Sequence, residues 1–260
     1  MTAPMQVWNS LSAWRERRAV LAGKSIGFVP TMGALHTGHA SLVERCRREN
    51  DIVVVSIFVN PSQFNDPKDL DRYPRPFDED CALLASLGVD DILAPPANEF
   101  YPHGYRYRIE SENATSVMEG TRRPGFLPGV MTIVLKLLNL VGANRAYFGE
   151  KDFQQLRTVT GMVEEFFVST EIVGCPTIRT RTGLAESSRN RLLSPEGRER
   201  AAWIYRALTS AATPADASAL LEQQGFQVEY VEEHWGRRFC AAYLEGIRLI
   251  DNVPAPSSGR

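Results

Sequence analysis

Residues 25–59 read SIGFVPTMGALHTGHASLVERCRRENDIVVVSIFV, and this stretch decides the fold. Ser25 to Val29 is a short apolar run that reads as a buried strand. Pro30 to Thr37 is a turn-rich loop. Gly38 to Asn50 reads as a helix, with Leu42, Val43 and Cys46 on one face. Ile52 to Val59 is almost wholly apolar and rich in β-branched residues. A run of that kind, without alternation, fits a strand of a parallel sheet covered on both faces.

The same alternation extends outward. Asn9 or Ser10 is placed to cap a helix running to about Leu21. Beyond the central stretch, Phe77 to Leu87 reads as a helix stopped by Gly88, and Asp91 to Ala94 as a strand. Pro128 to Val141 is helical, Arg145 to Phe148 a strand, Phe153 to Phe167 a helix and Thr170 to Val173 a strand. Strands alternating with helices predict an α/β fold, a doubly wound parallel sheet. After Cys175 the texture changes. Ser194-Pro195-Glu196 is a helix start, and that helix carries Trp203, Ile204 and Leu208. A polar, Ala-rich stretch follows, then strand candidates at Gln227 to Val231, Arg238 to Tyr243 and Ile247 to Ile250. Residues 1–176 are therefore expected to form the α/β domain and 177–260 a smaller α+β C-terminal domain, with a frayed tail from Pro254.

Composition narrows the function classes. The chain has 260 residues, enough for a substantial core without staples. Lys plus Arg number 29 against 31 Asp plus Glu, so a wholly basic surface built for nucleic acid is excluded. Cys46, Cys81, Cys175 and Cys240 lie far apart with no CxxC pair, which argues against a zinc ribbon or thioredoxin-type site and for a reducing cytoplasm. Met1 to Arg18 lacks the long apolar run of a signal peptide, and no stretch approaches the ~20 apolar residues of a membrane helix.

In doubly wound sheets a ligand sits outside the carboxyl ends of the strands, so the loops beginning at Pro30, Asn60 and Gly149 are expected to share a cleft. The first of them puts His36 and His39 on either side of Gly38 at a helix start. Orphan backbone N–H groups and the helix dipole favour an anion there, and imidazole donors add direction. Neither GxGxxG nor GxxxxGK[ST] occurs, so a nucleotide would be held by another device. Asn60 and Gln63 follow the strongest strand as neutral donor-acceptors, suited to a hydroxyl or carboxylate or simply to a polar turn. Asp78, Glu79 and Asp80 begin a helix, either complementing its dipole or facing a magnesium-bound phosphate. Lys151 and Asp152 lie at another strand-to-helix junction, placed for a phosphate and a ribose or as a surface pair. Ser187, Ser188 and Arg189 offer two hydroxyls and a guanidinium suited to phosphate oxygens, or a Ser-rich linker.

Taken together, GFVPTMGALHTGH, VSIFVNPSQF, YPRP with its following acids, RRPG…GV, FGEKDFQQL, PTIR, GLAESSRN and RLIDN resemble the pantoate–β-alanine ligase family in order and over most of the chain. The resemblance implies a Rossmann-like sheet and a phosphate signature written His36-Thr37-Gly38-His39. It implies ATP and magnesium, a pantoyl adenylate, and an amide to β-alanine. Catalytic roles fall on His36, His39, Lys151, Ser187, Ser188 and Arg189. ATP falls to Met32, His39, Gly149, Asp152, Ile178, Ser187, Ser188 and Arg189, and pantoate to Met32, Gln63, Val134 and Gln155. Asp78 or Glu79 is the acid on the magnesium side. A homodimer through the first domain is implied, with the second as a mobile lid.

Three departures stand out. The family's RPGHF becomes Arg123-Pro124-Gly125-Phe126, so a histidine is lost. Two acids give way to Thr180 and Thr182. The family's final GxTRLIDN becomes Gly246-Ile247-Arg248, and the second domain looks shortened. These changes leave open a relative using another small acid or amine, or a non-catalytic nucleotide-binding homologue. A tRNA synthetase fragment is disfavoured by the lack of basic bias.

Overall fold

A computed structural model describes residues 4–65 and 67–256. Residues 1–3, within the stretch read for a leader, and 257–260, within the tail expected to fray, lie outside the described residues. The chain divides into two compact units, residues 1–149 with 154–175, and residues 150–153 with 176–260.

The first unit holds strands β1 (Gln6–Trp8), β2 (Ile26–Thr31), β3 (Ile52–Ile57), β4 (Asp91–Leu93), β5 (Arg145–Gly149) and β6 (Glu171–Cys175). They form one sheet in the order β1-β4-β3-β2-β5-β6, every pair parallel. Helices α1 (Leu11–Val20), α2 (Thr37–Glu49), α3 (Pro67–Arg72), α4 (Phe77–Ser86), α5 (Ala97–Phe100), α6 (Glu112–Thr115), α7 (Glu119–Arg122), α8 (Phe126–Val141) and α9 (Phe153–Glu165) connect them. The chain leaves β2 toward β3 and β4, then returns to place β5 on the other side of β2. The switch point of the sheet therefore lies beside Thr31 and Gly149, where such folds bind ligands.

Burial along β2 and β3 is nearly continuous, and alternate residues face each core. Val29, Val53 and Val55 join Leu42, Val43 and Cys46 of α2 in one core. On α8, Val130, Ile133, Val134, Leu137, Leu138 and Val141 are all buried, and this helix packs on β2. Its end is closed by α1, where Trp14 Nε1 donates to Leu140 O at 3.0 Å and Arg18 Nε to Val141 O at 2.7 Å. Ser10 does stand at the N-cap of α1, but the helix's first N–H goes to Glu99 of α5 instead of to the Ser10 side chain.

Strand β1 has no sequence signature. It exists because the buried Asp91 carboxylate collects Trp8 Nε1 at 2.8 Å and the Arg17 guanidinium at 3.0 Å, fastening both flanking segments to β4.

The second unit holds helices α10 (Pro195–Ala201), α11 (Trp203–Ser210) and α12 (Pro214–Gln223) and strands β7 (Gln227–His234), β8 (Arg237–Leu244) and β9 (Ile247–Pro254). The strands form an antiparallel meander. Its two-residue turns, Trp235-Gly236 and Glu245-Gly246, all have positive φ, as tight hairpins require. Ser194 caps α10, accepting from Gly197 N at 2.9 Å, as its sequence predicts. The single helix expected to follow is broken at Ala202. The Ala-rich stretch conceals α12, whose Thr213–Asp216 capping box satisfies both helix and cap N–H groups. Leu208, Leu221, Phe226, Cys240, Leu249 and Val253 form this unit's own core. Residues 150–153 belong to it because the Asn252 side chain donates to Glu150 O and Lys151 O, and Phe153 packs near Phe239.

Candidate active site

In the first unit the site begins where β2 ends. Gly33 has φ +77°, open to glycine, and a Cβ there would meet the Asp80 carboxylate at 2.9 Å. Ala34 follows at φ +51°. Asp80 holds this turn, its two oxygens accepting from Ala34 N and Leu35 N, each at 2.8 Å. Its carboxylate is buried, whereas Asp78 and Glu79 are exposed. Of the three acids at the start of α4, then, the one that serves the histidine loop is the one assigned no metal role. Its signal is positional: it sits in the first turn of α4, and the helix turns it inward.

Next comes His36, the N-cap of α2, whose Nδ1 accepts from Gly38 N at 3.1 Å. A neutral imidazole that accepts at Nδ1 carries its proton on Nε2, so the ring presents a donor at its other end. The His39 ring lies 4.1 Å from it, centroid to centroid. Both are half-buried. The structure thus brings the two histidines together at a helix start, an arrangement that can hold an anion by hydrogen-bond donors and the helix dipole.

Gln63 is buried in a one-turn 3₁₀ segment, Pro61–Gln63, after β3. Asn60 is not available to a ligand in this arrangement. Its Oδ1 accepts from Tyr101 OH at 2.8 Å and Ser62 Oγ at 3.0 Å, and its amide donates to Gly129 O at 3.2 Å. Asn60 is thus the polar turn that the sequence left as one alternative, and it fixes the segment carrying Gln63. Burial pushes the Tyr101 phenol up, which keeps it a neutral donor. Met32 is half-buried, Val134 is buried on α8, and Gln155 is half-buried on α9 beside the buried Gln154. Gly149 ends β5, paired with Cys175. Phe126 lies under Arg123, whose guanidinium sits 3.7 Å from the ring centre.

In the second unit Lys151, Ala185, Ser187, Asn190, Leu249 and Asp251 line one cleft. Lys151 lies 3.9 Å from Asp152 and is held through its own carbonyl by Asn252. Asn252 belongs to the RLIDN stretch, yet nothing in the sequence gives it this role. Ser187 Oγ accepts from Arg189 N at 3.3 Å, shaping the turn that carries Ser188 and Arg189. The buried Asn190 Oδ1 has no hydrogen-bond partner, which leaves an acceptor in the cleft. Arg179 is bidentate to Asp251 of β9 at 2.6 and 2.9 Å. Ile178 is exposed, and Thr180 and Thr182 are hydrogen-bonded to each other at 2.8 Å. Among the described residues no group of three or more His, Cys, Asp or Glu side chains could hold a metal ion, and no helix is long and apolar enough to cross a membrane.

A doubly wound parallel sheet whose central strand opens onto a histidine-lined helix start defines an α/β enzyme that handles phosphate groups. The sequence model of the family Pantoate-beta-alanine ligase matches residues 4–254. A pantothenate synthetase of Bdellovibrio bacteriovorus is 49% identical over 253 residues, 97% of this chain and 99% of its own length. The crystal structure of pantoate-beta-alanine ligase from Francisella tularensis, complexed with beta-gamma ATP and beta-alanine, superposes with a TM-score of 0.92 at 40% identity, covering 96% of this chain and 97% of that one. Pantothenate synthetase from Thermus thermophilus gives a TM-score of 0.88 at 42% identity over 97% of this chain and all of that one. The chain belongs to the pantoate–β-alanine ligase family, and its reaction is the ATP-dependent ligation of pantoate with β-alanine.

Proposed function

We propose that the chain makes pantothenate in two steps, with the groups described above in defined roles. In the first, a pantoate carboxylate oxygen attacks the α-phosphorus of ATP. The bond to the β-phosphate oxygen breaks, giving pantoyl adenylate and pyrophosphate. No strong base is needed, because the carboxylate is already ionised at neutral pH. The step needs alignment and neutralisation of charge at phosphorus. His36 and His39 supply donors, Lys151 an ammonium for the α-phosphate, and Ser187, Ser188 and Arg189 hold the outer phosphates. Gly149 and Asp152 serve the ribose and Ile178 the adenine. Gln63 and Gln155 grip pantoate against Met32 and Val134. In the second step the β-alanine amine attacks the acyl carbon, the bond to AMP breaks, and the amine's proton is lost as the amide forms.

Magnesium is read as arriving with the nucleotide. Exposed Asp78 and Glu79 fit one or two carboxylates beside bound phosphates, the mode usual for this ion, in which it neutralises phosphate charge. The reading also takes the protein as a cytoplasmic homodimer. The four unbridged cysteines support the compartment, and light scattering tests the dimer.

The observation that carries the mechanism is the pairing of the two histidines at the start of α2, His36 Nδ1 accepting from Gly38 N and the His39 ring 4.1 Å away, centroid to centroid. The test is an assay with ATP, magnesium and pantoate, with and without β-alanine. Pyrophosphate release should need only pantoate, and AMP release should need the amine as well. Pyrophosphate release that requires β-alanine would overturn the adenylate route, and preference for a different acid or amine would move the chain to the alternative ligase reading.

A further inference from the structure

Gln154 is the more buried neighbour of Gln155, 5% exposed, and no part of the proposed chemistry uses it. Its Oε1 accepts from Glu119 N at 3.1 Å, and its Nε2 donates to Val117 O at 3.0 Å and Ala114 O at 3.2 Å. The buried Glu119 carboxylate accepts from Arg123 Nη1 at 3.4 Å. Arg123 Nη2 in turn donates to Gln63 O at 3.1 Å. Asn65 closes the same join, its amide donating to Pro124 O at 2.6 Å. A continuous polar bridge thus runs from the residue next to Gln155, through α7, to the backbone of Gln63.

The bridge is built stiffly. The α6–α7 corner passes through Met118 at φ +45°, a conformation that a side chain adopts only when its surroundings hold it. At Gly120 a Cβ would meet Ala114 O at 2.2 Å, so the corner has no slack. Arg123 is kept flat by the Phe126 ring beneath it. Buried amides and carboxylates joined end to end tolerate little change of length, because an unpaired partner is costly.

We propose that Gln154, Glu119 and Arg123 act as positioning residues that set the spacing of Gln63 and Gln155, and thereby the size of acid the enzyme accepts. The inference rests on the assignment of those two glutamines to pantoate. It also gives Phe126 a role, as the support beneath the arginine of the bridge.

The test compares Arg123→Lys, Gln154→Met and the double variant with Gln63→Ala and Gln155→Ala, each checked for melting. The probes are pantoate and its analogue lacking one methyl, with pyrophosphate release as the readout. Each bridge variant should raise KM for pantoate about tenfold, keep KM for ATP within about twofold, and narrow the preference for pantoate over the smaller acid. The double variant should be no worse than the poorer single one, because both cut the same bridge. A fall in kcat with both KM values unchanged, a shift in KM for ATP, or additive effects would overturn the proposal. Arg123→Lys keeps the charge opposite Glu119 and decides the matter if Gln154→Met does not fold. If Gln63→Ala and Gln155→Ala leave KM for pantoate unchanged, the glutamine assignment itself is wrong and the bridge has no substrate to serve. If they raise it and the bridge variants do not, only the bridge falls.

Discussion

At the scale of single residues, the histidine loop separates two kinds of work. His36 caps α2 through Nδ1, so His36→Ala should remove both a helix cap, worth ~1 kcal/mol, and the proposed phosphate donor. His39 lies inside α2, so His39→Ala should lower pyrophosphate release by about 10²–10³ with a smaller loss of stability. Asp80 holds the loop through its backbone. Asp80→Ala leaves Ala34 N and Leu35 N without their buried acceptor, at about 1–3 kcal/mol for each lost bond. It should therefore lower the denaturation midpoint more than either histidine variant and slow pyrophosphate release as the loop relaxes. Asp80→Asn, which keeps one acceptor oxygen, should recover part of both losses. Equal stabilities across His36→Ala, His39→Ala and Asp80→Ala in urea would contradict this division.

At the scale of elements, the C-terminal end of α2 is tied to β5 through the Glu49 carboxylate. Glu49 accepts from Arg45 Nε at 2.9 Å and from Tyr147 OH at 2.8 Å. The Arg45 bond first, and then the Tyr147 bond, hold the Glu49 carboxyl below its ordinary value of 4.5. A carboxylate whose folded value is depressed adds stability that is present above the unfolded value and lost as pH falls through the folded one. Glu49→Gln should therefore be less stable than the parent at pH 7, by the ~0.2–1 kcal/mol of a solvent-reached pair. The difference should shrink below pH 4.5 and vanish in stronger acid. Denaturant titrations at pH 7 and pH 3 measure it, and a gap undiminished at pH 3 would place the effect in packing. The thiol of Cys46, in the same region, is pushed up to about 12 by burial and stays a packing group throughout this range.

At the scale of the whole molecule, each unit has its own core, and the proposed substrate groups are divided between them. Binding to the folded chain stabilises it by mass action, by about 2.7 kcal/mol at a hundred times Kd. A non-hydrolysable ATP analogue and pantoate should each raise the melting temperature of the parent. Arg189→Ala should abolish most of the analogue's effect and leave that of pantoate, while Gln155→Ala should do the reverse. Loss of both effects in either variant would show that the residue had been given the wrong ligand.

The sequence alone determined the α/β alternation, the parallel core and the histidine helix start, because these are written in local terms. A β-branched run such as residues 52–55 is buried on both faces wherever it lies, and Gly33, His36, Gly38 and His39 at the start of an amphipathic helix mark a candidate anion site by their local pattern alone. Family likeness in eight separated motifs extended this to the reaction. Tertiary structure alone decided what depends on residues far apart in the chain. Strand β1 exists only through Asp91, and Asp80, not its exposed neighbours, supports the loop at Ala34. Asn60 is bound to Tyr101 and Gly129 and thereby presents Gln63 in its place, and Asn252 fastens the turn of Lys151 across about a hundred residues of sequence. The reason is common to all of them. A buried polar group must find its partner wherever the fold puts one, and no local pattern encodes which partner that will be.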